Sequence, residues 1–399
     1  MKIGIDIRTL MDARYSGVSE YTYSLIKEIL KLDNNNEYRF FYNSFGDCPN
    51  IPEFKEKNVE LVKYNYPNKV LNYLFFKFFN LPEIDKGLGV DIFFMPHINF
   101  IGLSGTAKRL ITVHDLSFLK YPEFFSWRKN FWHRMVNVRK LVKRFDAVVA
   151  VSENTKRDLI ELCGVDENRI KVIYAGVGEE YRKIFNFQFS IFNENFKSQF
   201  LNLNTDERKL LEIKQKYNLP DKFILYLGTV EPRKNVEGII RAYNELRIMN
   251  YELREYKLVI AGGKGWKSKK IYQERESSEY KDDIKFLDYV DSEDKVYLYN
   301  LASVFIYPSF YEGFGLPPLE AFASGLPVVT SYASSLSEVA GDAALMVDPY
   351  NISDLARALK EILTDENLRN KLIERGLEQA KKFSWRKTAD EYLEVLKNL

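Results

Sequence analysis

Short hydrophobic runs alternate with helix-like runs twice along this chain, and that double alternation restricts its fold more than any other feature. In the first series Lys2–Ile7 reads as a strand. Ser19–Leu32 reads as a helix, with Leu25, Ile26, Ile29 and Leu30 at helical spacing. Strand-like runs follow at Tyr38–Tyr42, Val59–Val62, Ile92–Met95, Leu110–Val113 and Ala147–Val151. The pattern restarts with a strand at Phe223–Gly228 and a helix at Val236–Arg247. Further strands are expected at Leu258–Ala261, Ile284–Leu287, Val304–Tyr307, Val328–Thr330 and Ala343–Val347, with a helix beginning at Pro318–Ser324. Strands this short and apolar, separated by helices, predict an α/β protein whose parallel sheets are covered on both faces.

A length of 399 residues suits two such cores. The expected division is 1–200 for the first domain, 201–382 for the second, and 383–399 for a closing helix with Trp385, Ala389, Tyr392, Val395 and Leu396 on its apolar stripe. Phe185–Leu203, rich in Asn and Phe, reads as a linker or surface insertion at the junction. Basic and acidic residues number 58 and 56, a net charge of +2 that argues against a nucleic-acid partner. Cys48 and Cys163 match no zinc spacing and read as buried free thiols. Asp6 interrupts the opening apolar run before it can form a signal peptide, and no run of ~20 apolar residues is present to span a membrane. Leu71–Leu81 is strongly aromatic. It reads either as an amphipathic helix packed on the first sheet or as a greasy surface that touches lipid.

Ligands of open α/β sheets collect at the carboxyl ends of strands, so the loops following strands carry the chemistry. Gly228-Thr229-Val230-Glu231-Pro232-Arg233-Lys234-Asn235 ends with a residue placed to cap the next helix. Its two cations suit a diphosphate, the plainer alternative being solvated surface charges. In Phe310–Glu320, Gly313, Phe314, Gly315 and Leu316 form a turn that brings backbone amides to a ligand. Glu320, expected in the first turn of a helix, suits a ribose diol or else only the helix dipole; Glu312, on the loop, suits sugar hydroxyls. Ala261–Trp266, with Gly263, offers another close approach, to phosphate or base. In the first half His114 and Asp115 follow a strand. They read as a sugar- or acceptor-contacting pair, or as a structural His–Asp contact. Arg8, Gly17 and Val18 follow the first strand and are expected to face the same side. His97, His114 and His133 are the only histidines, and no metal-ligating set is apparent. The signatures of protein kinases, P-loop nucleotide hydrolases and first-strand dinucleotide binders are absent.

At these residues the chain resembles glycosyltransferase family 4. The resemblance is carried by Gly228 through Asn235, Glu312-Gly-Phe-Gly-Leu-Pro-x-Leu-Glu320, Ala323-x-Gly325-x-Pro327-Val328-Val329 and Ser335-Leu-Ser-Glu338-Val-Ala-Gly341. It implies a GT-B fold: two Rossmann-like parallel-sheet domains facing a central cleft, acceptor side first and donor side second, with the C-terminal helix crossing back to the first. It implies a retaining, metal-independent transfer from a nucleoside diphosphate sugar. Arg233 and Lys234 would hold the diphosphate, Glu320 the ribose and Glu312 the transferred sugar. Gly17 and Val18 would lie near the phosphates, and His114 near sugar and acceptor. The Gly17-Val18-x-x-Tyr21 segment is most similar to bacterial mannosyltransferases of polysaccharide assembly, which implies GDP-mannose as donor and a glycan or lipid-linked saccharide as acceptor. It also implies a cytoplasmic location, at the inner face of a membrane. A UDP-sugar hexosyltransferase, a nucleotide-sugar-binding protein without transfer activity and a nucleotide-sugar epimerase remain open alternatives.

Overall fold

A computed structural model describes residues 1–12, 16–46, 48, 50–184 and 204–399. These divide into two compact units, Met1–Gly176 with Phe383–Leu399, and Val177–Lys382. The junction expected at 200/201 falls in 185–203, outside the described residues.

The first unit carries β1 (Lys2–Asp6), β2 (Glu37–Asn43), β3 (Val59–Tyr64), β4 (Ile92–Met95), β5 (Lys108–Val113), β6 (Ala147–Ala150) and β7 (Ile170–Val172). They form one parallel sheet in the order β3-β2-β1-β4-β5-β6-β7. The second unit carries β8 (Phe223–Leu227), β9 (Lys257–Ala261), β10 (Ile284–Phe286), β11 (Val304–Tyr307), β12 (Val328–Ser331) and β13 (Ala344–Val347), parallel and ordered β10-β9-β8-β11-β12-β13. Each sheet thus reverses its strand order once, between β1 and β4 and between β8 and β11. That reversal opens the crevice in which doubly wound sheets bind ligands.

The central strands are apolar because helices cover them on both sides; every residue of β4, β8, β11 and β12 is buried. The edge strand β3 instead has only half-exposed and exposed residues. Helix Gly17–Leu32 starts two residues before its expected first residue, because Ser16 caps it by accepting from the Ser19 amide. Gly17 and Val18 therefore lie in a first helical turn, where backbone amides lack intrahelical acceptors.

Helix Trp385–Asn398 completes the first unit. Ser384 caps it, and Trp385, Ala389, Tyr392 and Leu396 are buried. Thr388 donates to the Tyr174 carbonyl at 2.8 Å. The Tyr392 hydroxyl lies 2.9 Å from that of Tyr21 and 2.6 Å from that of Thr112, which ties the helix to Gly17–Leu32 and to β5. Cys163 is buried, and burial pushes its thiol up to about 11, whereas Cys48 is only half-buried.

Arg8 departs from expectation. Its side chain is 8% exposed and paired with the fully buried Asp6 at 2.6 Å. It donates to the Phe100 carbonyl at 2.8 Å and lies over the rings of Phe41 and Phe76. A buried cation needs a counter-charge, and Asp6 supplies it inside the unit, so Arg8 braces β1 from within.

Candidate active site

In the second unit the loops after β8, β9 and β10 are stitched together by backbone hydrogen bonds. Gly228 N–H donates to Ala261 O, Val230 N–H to Gly263 O, and Gly262 N–H to Asp288 O, at 2.9, 3.0 and 2.7 Å. Gly262 has φ +144°, and a Cβ there would lie 2.0 Å from the Gly228 carbonyl oxygen. Only glycine lets these two loops approach so closely. A Cβ on Gly263 would meet nothing within 4 Å, so that position faces open space.

Arg233 and Lys234 do not form the solvated pair of the plainer expectation. Their side chains are 11% and 12% exposed, and both bond Glu312, at 3.0 Å for Arg233 and 2.6 Å for Lys234. Arg233 also donates to Glu231 at 2.9 Å and to the Tyr311 carbonyl at 2.6 Å. Lys234 donates to the Tyr307 hydroxyl and lies 4.9 Å from the centre of that ring. Two cations and two carboxylates from the loops after β8 and β11 thus form one buried network beside the strand-order reversal. Burial alone would raise the pKa of Glu312, but the charges of Arg233 and Lys234 overcome it and hold the carboxyl down to about 2.

The Glu312 loop is itself tightly held. The Ser334 hydroxyl accepts from the Glu312 amide at 2.7 Å, and the Ser335 hydroxyl donates to the carbonyls of Glu312 and Phe314 at 2.9 and 2.7 Å. Gly315, at φ +124°, precedes helix Leu316–Ala323, and a Cβ there would press on Leu336 at 2.9 Å. Gly313 and Phe314 lie on this loop, and Leu316 opens the helix.

Two local expectations are corrected. Glu320 is the fifth residue of its helix, beyond the first turn, so the dipole explanation loses its basis. It is 5% exposed and accepts from the Tyr299 hydroxyl at 2.8 Å. Asn235 precedes helix Val236–Met249, but its φ of +57° is left-handed and its side chain caps nothing. Its amide instead donates to the carbonyls of Pro308 and Pro349, at 3.2 and 2.7 Å, fastening the β8 loop to the loops after β11 and β13.

In the first unit His114 follows β5. Its Nε2 is 2.8 Å from the Pro96 carbonyl, so Nε2 carries the proton and Nδ1 is left as the acceptor of the neutral ring. Tyr21 packs edge-on against it, with centroids 4.6 Å apart. Burial lowers the His114 pKa, against the opposing effects of the Pro96 hydrogen bond and the Asp115 charge. The Asp115 carboxylate accepts from the Ser117 amide and hydroxyl at 3.0 and 2.6 Å. His97, after β4, is buried, and burial lowers its pKa to about 4. Among the described residues no group of three or more His, Cys, Asp or Glu is arranged to hold a metal ion.

Sequence reasoning did not single out Glu231, Tyr299, Tyr307 or Pro96. Glu231 lies within Gly228–Asn235, and its carboxylate near Arg233 in sequence was the available signal. The other three are separated from their partners by 18 to 73 residues, and no spacing rule links them.

Comparison with known proteins finds relatives for both halves of the chain. Residues 15–181 match Glycosyltransferase Family 4, and residues 208–379 match Glycosyl transferases group 1. The chain is 32% identical over 313 residues to O-antigen chain mannosyltransferase B of Escherichia coli, covering 77% of this chain and 73% of that protein. It is 33% identical over 285 residues to the serotype-specific mannosyltransferase WbdA of Escherichia coli, covering 71% of this chain but only 32% of that longer protein. Sucrose-phosphate synthase from Thermosynechococcus elongatus superposes with a TM-score of 0.73 at 19% identity, covering 100% of this chain and 98% of that one, a likeness of fold. With both halves matched, the sheet order of each unit accounted for and a relative aligned over most of its length, the chain belongs to glycosyltransferase family 4 and is a glycosyltransferase of the GT-B fold.

Proposed function

We propose that the chain transfers mannose from GDP-mannose to a glycan or lipid-linked saccharide, with retention of anomeric configuration, at the cytoplasmic face of a membrane. The sugar assignment is supported by the relatives named as mannosyltransferases. The observation that carries the reaction type is the buried network of Arg233, Lys234, Glu312 and Glu231 at the strand-order reversal of the second unit.

In this reading Arg233 and Lys234 stabilise the charge that grows on the departing diphosphate. Cations already oriented by Glu231 and Glu312 need little reorganisation when that charge appears. The Glu312 carboxylate, already oriented by Arg233 and Lys234, takes a hydroxyl of the donor sugar in this reading. Glu320, positioned by Tyr299, accepts the ribose hydroxyls. Gly228, Gly263 and the Gly313–Leu316 turn offer backbone to donor phosphates and base. The acceptor hydroxyl attacks on the face from which the diphosphate leaves and passes its proton to a phosphate oxygen, so no protein nucleophile is needed. Gly17 and Val18 are assigned to phosphate, and His114 and Asp115 to sugar and acceptor, each on the family's pattern.

The test is transfer by the purified chain from GDP-mannose and from UDP-sugars to a panel of acceptors, with the anomeric configuration of the product read by NMR. Arg233→Lys keeps the charge but loses the fork that bridges Glu231, Glu312 and the Tyr311 carbonyl. Losing one or more charge-assisted hydrogen bonds of ~1.5–3 kcal/mol should slow transfer roughly 10–150-fold. A folded variant with wild-type turnover and donor affinity would defeat the phosphate assignment.

A further inference from the structure

We infer that the first unit docks on an anionic lipid bilayer through two neighbouring helices, Leu71–Phe79 and Trp127–Val136. The inference deepens the reading above and rests on it in one respect, that the acceptor is tied to lipid.

Each helix buries one side and leaves an apolar stripe in water. On the first, Leu71 and Phe76 are buried while Leu74, Phe78 and Phe79 are 45%, 69% and 59% exposed, and Leu81 just beyond is 51% exposed. The hydrogen bonds of this helix span five residues, so positions 74, 78 and 79 share a face. On the second, Val136 is buried while Trp127 and Phe131, one turn apart, are 73% and 51% exposed. The two helices are joined. Lys77 of the first donates to the Met135 carbonyl of the second, and Phe100 packs edge-on against both Tyr73 and Trp132, at 5.2 and 5.9 Å between centroids. Soluble proteins seldom leave so many large aromatic side chains together in water unless something covers them.

The charge pattern says what covers them. Residues 64–82 contain two lysines and no Asp or Glu, and residues 125–145 contain seven Lys or Arg and no Asp or Glu. In a chain whose overall net charge is only +2, these two segments are a local excess of positive charge. Lys69, Arg128, Lys129, Arg134, Arg139 and Lys140 are exposed. Aromatic side chains that insert at the headgroup boundary, flanked by cations that meet anionic headgroups, make up the chemistry of an interfacial helix. Insertion into a headgroup layer needs no matched pocket, which suits two helix faces whose apolar stripes are flanked by cations. Among the described residues no helix is long and apolar enough to cross a membrane, so the contact is one of surface docking.

The experiment is vesicle flotation of the full chain with phosphatidylcholine alone and with phosphatidylcholine mixed with phosphatidylglycerol. Binding is expected only to the mixed vesicles and is expected to weaken as salt rises. Arg128→Gln and Arg134→Gln should each weaken it about fivefold. The triple change Phe78→Ser, Phe79→Ser, Trp127→Ser should weaken it roughly tenfold or more, and circular dichroism checks that the fold survives. These side chains are already exposed, so the variants keep their cores. Transfer to a water-soluble acceptor reads the reaction separately, and variants that lose vesicle binding should retain it. Absence of binding, equal binding to both vesicle types, or a concentration-dependent dimer abolished by the triple change would each overturn the inference. Loss of soluble-acceptor transfer in the folded triple variant would do the same.

Discussion

Replacing Glu312 by Gln separates two roles for this carboxylate. Gln keeps the shape and an acceptor oxygen but leaves Arg233 and Lys234 with Glu231 as the remaining carboxylate of their network. The size of the effect follows from the structure. The Glu312 carboxyl is held down from 4.5 to about 2, a difference equivalent to about 3 kcal/mol of preference for the charged form in the folded state. Removing one partner of a buried pair costs about 3–5 kcal/mol, which agrees. For a domain of this size the melting temperature of the second unit should fall by roughly 6–12 °C. A nucleoside diphosphate without its sugar should then restore stability more strongly in the variant than in the wild type, because its negative charge replaces the one removed. The assay is thermal denaturation with and without GDP, compared between the two proteins. If Glu312 served only to hold sugar hydroxyls, melting would be unchanged and GDP would stabilise both equally; that result would refute the counter-charge argument. The same network sets an acid limit. Because the folded pKa is depressed, its contribution is complete above the unfolded value near 4.5 and is lost as pH falls toward 2.

Other outcomes follow from single contacts. Gly262→Ala places a methyl group 2.0 Å from the Gly228 carbonyl and should lower donor affinity at least tenfold by parting the two loops, measured by GDP titration. Tyr392→Phe leaves the Tyr21 and Thr112 hydroxyls without their shared partner and should destabilise the first unit by about 1–3 kcal/mol in urea denaturation, with the second unit unaffected. His114 has a lowered pKa, so it stays neutral below the usual 6.5. If its neutral Nδ1 is needed, kcat/KM should be flat around neutrality and fall only below that value, and His114→Ala should remove the acid limb from the pH profile.

The strands were the most legible part of the sequence because a parallel strand covered on both faces is an unbroken apolar run. Ile92–Met95 and Val304–Tyr307 were readable to the residue for that reason. Ile170–Val172 escaped because it has only three residues and Lys171 stands exposed in the middle. Gly17 read as loop, since the cap supplied by Ser16 became evident only once the Ser19 amide was placed. Within the second unit the sequence marked Arg233, Lys234 and Glu312 as chemically suited to a ligand but not as partners of each other. That pairing depends on the loops after β8 and β11 being neighbours, a property of strand order. Asn235 shows the same limit: its residue type suits a helix cap, but its backbone is left-handed and its amide reaches carbonyls 73 and 114 residues further on.

The first unit is discontinuous along the chain: residues 1–176 need 383–399, and the whole of 177–382 lies in between. During synthesis the second unit can therefore finish folding while Tyr21, Thr112 and the carbonyl of Tyr174 still await Tyr392 and Thr388. The usual order, with N-terminal domains maturing first, is reversed here for the final packing step. Until that late helix arrives, an apolar strip on the earlier-made half stays uncovered, a liability in translation that loss of the last helical turns would make permanent.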